Sequence, residues 1–366
     1  MPELLALCCL GALLSAAPAR GEPVITSQAL AEISAAVIDK HILPSYRALG
    51  SAAERLKDVT RSWCDANAAS PPGAVLDGYR ETVLAFARVE MVRFGPASRE
   101  NRSQRIAFWP DTRGVVRRQV QRALASGDSK LATKEVIATQ SAAIQGLPAL
   151  ELLLFPPVRE PSTAAGHRCK LAAAIAANVA DLADDITREW TMPGGWRFAM
   201  LSPGADNTSY HSDEEVAADL VRALLTALQI IREQELRPRL EAAESSRAAA
   251  GLPFERSGLS TDYLLAGIDA ARDLHAALRL DEVASHLVAA DPEKAWIIQW
   301  MTNAYEVLER NARVLARERA AATRDGEARK TLHQAVFYAN GLRQLIGRQL
   351  APAAGLLIGF NELDGD

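Results

Sequence analysis

Hydrophobic residues recur at spacings of three and four over most of the chain. The clearest run is Leu171, Ile175, Val179, Leu182, Ile186 and Trp190, which form one stripe of an amphipathic helix. That helix stops before Pro193-Gly194-Gly195. Upstream, the same spacing predicts helices over 27–64 with a bend at Pro44, over 76–94, over 114–126 and over 131–155. The last is broken near Gly146 and Pro148, and the stretch 95–113, rich in Pro, Arg and Asn, reads as irregular.

The loop 191–211 combines Pro, paired Gly, Ser and Asn between strongly periodic segments and is the natural boundary between two domains. After it, Ser212 with Glu215 has the pattern that satisfies free N–H groups at a helix start. That helix is expected to reach about residue 250, bending at Pro238. The next carries Leu264, Leu265, Ile268, Ala271, Leu274 and Leu278. Asp291-Pro292 starts another, with Ile297, Trp300, Met301, Ala304, Val307 and Leu308 inward, and a last helix covers about 324–349. The expected fold is therefore all-α, with two helical-bundle domains at 20–200 and 201–366. Each holds about four long helices, the number that closes a bundle.

Composition agrees. Alanine and leucine dominate, aromatic residues are only 5% of the 366, and β-branched residues are sparse. A sandwich, a barrel or alternating strands and helices are disfavoured. A net charge of −4 excludes a general polyanion-binding role.

Residues Leu4–Leu14 form an apolar run, too short to span a bilayer, followed by Ala17-Pro18-Ala19. This reads as a signal peptide over 1–19, cleaved after Ala19, so export is expected, with the periplasm the expected compartment. Cys8 and Cys9 fall within the leader. The remaining two, Cys64 and Cys169, are either a disulfide or two buried thiols.

Three clusters stand apart from the helical background: Glu90-Met-Val-Arg93-Phe94-Gly95-Pro96 with Phe108-Trp109-Pro110-Asp111, then Gly146-Leu147-Pro148-Ala149-Leu150-Glu151, then the tail from Gly359 to Asp366. Together they resemble the imelysin family, exported bacterial proteins grouped as M75 peptidases and as iron-regulated proteins. Glu90, Arg93, Phe94, Trp109, Pro110, Asp111, Gly146 and Glu151 match its motifs. The family motif Gly-x-His-x-x-Glu departs here, because Pro148 occupies the histidine position. Histidine and glutamate three apart share a helix face, which suits metal ligation or acid–base work. Proline offers neither a ligand atom nor a proton, so the peptidase activity attributed to some members is not expected here. A metallopeptidase with a rearranged site is the alternative.

The resemblance implies a pocket between the bundles that includes Glu90, Arg93, Asp111 and Glu151, and Arg105 is counted with them as a ligand-binding residue. The candidate metal ligands are Glu90 and Glu151, for iron or another divalent metal. The alternative for both glutamates is a structural ion pair with an arginine such as Arg93 or Arg105. Of the six histidines, His41, near Pro44 and Tyr46, is kept as a candidate against a packing or capping role. Residues 93–122 hold eight arginines, at 93, 99, 102, 105, 113, 117, 118 and 122. Their planar forks suit a carboxylate or phosphate, so a small anionic chelate or an envelope or outer-membrane protein is an expected partner. Solvated helix faces are the alternative, and nucleic acid is not expected.

Overall fold

The computed structural model describes residues 25–66, 70–128, 132–156, 165–245, 251–317 and 326–359. The expected leader and the tail from residue 360 onward lie outside them. Among the described residues every regular element is a helix, and no helix is long and apolar enough to cross a membrane.

The chain opens with α1 (Ser27–Val37), a π-helical turn (Ile38–Ile42) and α2 (Leu43–Asp65), one continuous bent rod. Next come α3 (Gly73–Ala87), α4 (Arg102–Ile106), α5 (Val115–Ser126), α6 (Lys134–Ile137), α7 (Ala142–Gln145) and α8 (Leu147–Leu154). The long α9 (Ala165–Thr191) follows, then α10 (Trp196–Leu201). The second half begins with α11 (Asp213–Gln229), a π-turn (Ile230–Leu236) and α12 (Arg237–Ser245). It continues with α13 (Ser260–Ala277), α14 (Leu280–Ala290), α15 (Trp296–Arg317) and α16 (Gly326–Leu345). A third π-turn (Ile346–Leu350) leads into α17 (Ala351–Ala353).

The two expected bends have a common cause. Pro44 and Pro238 each stand second in the helix that follows a π-turn, and so does Pro352. A proline ring inside a helix has no N–H and collides with the carbonyl one turn back. The widened turn relieves the collision: the residue before each proline donates to the carbonyl five residues earlier, Leu43 to Ile38, Arg237 to Arg232 and Ala351 to Ile346.

Other expectations shift. The helix expected to reach Phe94 ends at Ala87, so Glu90 and Arg93 sit on the turn beyond it. The segment 131–155 folds as three short helices, and α10 occupies part of the loop 191–211. The sequence pattern missed α14, because the break before it is Arg279 in a left-handed conformation (φ 53°), which arginine does not signal. The start of α11 is close to expectation. Ser212 Oγ accepts the Glu215 N–H at 3.3 Å, while the Glu215 carboxylate accepts from the His211 N–H at 2.6 Å.

In the first half, α2 packs against α3 and α9, and α8 lies on α9. The stripe of α9 read from the sequence is its core face, with all six residues buried. Cys64 and Cys169 form a disulfide between α2 and α9, their Cα atoms 5.4 Å apart. In the second half, α15 packs against α13 and α16. The halves meet where α1 lies on α11 and α3 on α13. Arg80–Asp262 (2.6 Å) and Arg88–Asp273 (2.5 Å) flank the second contact, and Ser27 donates to Asp213 at the first. Buried apolar side chains form one continuous cluster from Leu30 to Leu356.

Candidate functional site: a groove between the halves

The Gly146–Glu151 motif opens α8 against the end of α4. A Cβ on Gly146 would lie 2.1 Å from the Ile106 carbonyl oxygen, so only glycine permits this approach. Pro148, the second residue of α8, needs no N–H partner there. One turn on, Glu151 is 8% exposed. Its Oε1 accepts both the Ser257 N–H (2.8 Å) and the Ser257 hydroxyl (2.6 Å). Burial pushes the Glu151 carboxyl above its ordinary range, with the Ser257 donors and the nearby Arg256 charge opposing the shift.

Ser257 belongs to the loop 251–259, which crosses from the second half. Gly251, Phe254 and Gly258 have positive φ, and Phe254 is the non-glycine among them. A left-handed phenylalanine costs about 1–2 kcal/mol. It is held by ring contacts to Tyr263 (4.8 Å) and Tyr79 (6.4 Å).

An open groove of about 760 Å³ lies between this loop and the first half. Trp109, Asp111, Arg117, Arg118, Pro148 and Glu151 line one side, and Leu252, Glu255 and Arg256 the other. Two of its carboxylates are already committed. Asp111 accepts the Val115 and Val116 N–H groups at 2.7 and 2.9 Å, closing the start of α5. Glu151 is held by Ser257. Arg118 donates to the Arg113 carbonyl and Arg256 to the Phe155 carbonyl. Among the described residues no carboxylate pairs with Arg117, Arg118 or Arg256.

Glu90 and Arg93 lie elsewhere. Glu90 is 5% exposed and accepts from the Tyr263 hydroxyl at 2.5 Å and from Arg93 at 3.2 Å. It lines a separate small cavity with Met91, Ile231, Glu235 and Tyr263. The structure thus brings Asp111 and Glu151 into one groove but does not bring Glu90 and Glu151 together. The ion-pair alternative describes Glu90 with Arg93. Arg105 stands outside both cavities, its Nε donating to the Gln145 side chain (2.8 Å). His41 sits on the first π-turn, and burial lowers its pKa.

Sequence reasoning passed over Ser257, Arg256, Glu235 and Tyr263. Ser257 lies 106 residues from its partner Glu151, and no local pattern announces such a pairing. The arginine excess did point at Arg117 and Arg118.

This all-helical fold is shared with two solved structures. An imelysin-like protein from Psychrobacter arcticum 273-4 is 20% identical with a TM-score of 0.69, covering 92% of this chain and 99% of that one. A candidate iron-regulated protein A precursor from Parabacteroides distasonis is 12% identical with a TM-score of 0.68, covering 88% and 94%. At these identities the likeness is one of fold. The sequence profile of the imelysin, or M75 peptidase, family matches residues 42–349, and the chain belongs to that family. Iron-regulated protein A of Synechococcus elongatus is 22% identical over 214 residues, 57% of this chain and 55% of that protein. The chain therefore matches about half of that relative's length.

Proposed function

We propose that this is an exported, non-catalytic binding protein whose groove takes a small anionic metal chelate, with iron the favoured metal. The observation that carries the reading is the groove's charge arrangement. Arg117, Arg118 and Arg256 face a common space without carboxylate partners among the described residues, whereas Asp111 and Glu151 are occupied by N–H and O–H donors. Guanidinium forks recognise carboxylates and phosphates, and the volume falls in the range of small-molecule sites. Iron enters through the name of the Synechococcus relative. Pro148 at the family's histidine position supports binding over peptide hydrolysis. Export rests on the apolar run and small-residue cleavage pattern at the N-terminus.

Calorimetry with citrate, ferric citrate and the free ferrous, ferric and zinc ions tests this. Both citrate forms are expected to bind saturably, and Arg256→Ala to weaken them about tenfold, the loss of one charged hydrogen bond. Absence of heat with either citrate form overturns the anion reading. Chelator-sensitive cleavage of an unfolded protein overturns the non-catalytic one.

A further inference from the structure

The small cavity lined by Glu90 has a volume of about 20 Å³ and is lined also by a second buried carboxylate, Glu235. Glu235, on the second π-turn, is 2% exposed. Its Oε2 pairs with Arg239 at 2.9 Å, but its buried Oε1 has no hydrogen-bond partner. A buried carboxylate oxygen without a donor is costly and calls for an occupant.

The surroundings narrow the choice. A hard metal ion wants about six oxygens. Here the oxygens are those of Glu90, Glu235 and Tyr263, two arginines already face the carboxylates, and the rest of the lining is aliphatic. With each carboxylate already facing an arginine no further cation is called for, and a proton on Glu235 itself takes the charge off the donorless oxygen. Burial and the charge of Glu90 raise the Glu235 carboxyl to about 7, with Arg239 opposing. The elements packed on this turn include α11, α12, α13 and α16. From α12 comes Arg239, from α13 Tyr263, and from the turn after α3 Glu90 and Arg93; the charges that shift Glu235 are those of Arg239 and Glu90.

Both carboxylates connect to the loop 251–259. Arg239, which binds Glu235 with one nitrogen, donates with the other to the Ser260 carbonyl at 3.1 Å, and Ser260 begins α13. Tyr263, which donates to Glu90, has its ring 4.8 Å from Phe254. The Phe254 carbonyl accepts from the Leu259 N–H (2.9 Å) and lies 3.0 Å from the Ser257 hydroxyl oxygen, whose one proton goes to Glu151.

We propose that Glu235 is a positioning residue that holds a buried proton beside Glu90 and, with Tyr263 and Arg239, sets the loop presenting Ser257 and Arg256 to the groove. Loss of the proton leaves a charged, donorless oxygen beside a second carboxylate and loosens the loop. The loop therefore holds firmly on the acid side of neutrality and relaxes as pH rises through about 7. The consequence for a ligand rests on the proposed function; the effect on the loop does not.

Hydrogen exchange at the Ser257 amide, corrected for intrinsic rate, tests the coupling in the full-length protein. Protection is expected to fall about tenfold between pH 6 and pH 8 and to stay at its pH 6 level in Glu235→Gln. A pH-independent wild type overturns the proposal, and so does a Gln variant that loses protection as the wild type does. Should Glu235→Gln fail to fold, Tyr263→Phe keeps the ring on Phe254 and removes the donor from Glu90. It is expected to move the midpoint of the fall upward, and an unmoved midpoint overturns the proposal. Citrate calorimetry stands apart: a groove that takes up no citrate ends the binding reading and leaves the Ser257 result intact.

Discussion

Glu151 shows how one side chain can be legible in its identity and illegible in its role. Its spacing from Gly146 marks it in the sequence, yet its bonds go to Ser257 in the other half. Because burial raises its pKa, the folded state holds this proton more tightly than the unfolded chain does. The stability it confers is full below the ordinary carboxylate range and is lost as pH rises through the raised value. Glu151→Gln carries no such loss, so its melting temperature relative to wild type is expected to rise from pH 4 to pH 7.5. The opposite trend, read by calorimetry, would mean that the Ser257 donors outweigh burial. Asp111 carries a similar lesson. Its place beside Trp109 and Pro110 suggests a ligand, whereas both its oxygens serve the start of α5.

Among the elements, the long amphipathic helices were readable because a continuous apolar stripe has one way to be buried. Pro44 and Pro238 announced their bends, although the widened turn that accommodates each proline has no signature of its own. Where helices are short, backbone geometry decides: α14 follows a left-handed arginine, and α6 to α8 replace one expected helix. The link between α2 and α9 is a testable element contact. Cys64 and Cys169 enclose a sequence separation of 105, and restraining a loop of that size stabilises by about 4 kcal/mol. Changing both cysteines to serine is expected to lower the denaturant midpoint accordingly without altering helical circular dichroism. No change in the midpoint would show that packing alone holds the two helices.

For the whole molecule, composition and periodicity established an all-α fold, but the way the halves meet depends on contacts far apart in sequence. The loop at 191–211 suggests division. The apolar core nevertheless runs unbroken through both halves, and α1 packs on α11 while α3 packs on α13. A core shared in this way couples the unfolding of one half to that of the other. Differential scanning calorimetry is expected to give one transition with equal calorimetric and van't Hoff enthalpies. Two resolved transitions would show that each half holds its structure alone.

The docking of α1 on α11 also sets a timetable. Ser27 and the Asp213 it binds are 186 residues apart, so a chain that emerges N-terminus first presents its first helix well before the partner helix has appeared. During that interval Leu30, Ile33 and Val37 have no second-half helix to cover them. The opening segment of this protein is therefore among the last to reach its final surroundings, and for that time it is available to any chaperone that binds exposed apolar helices.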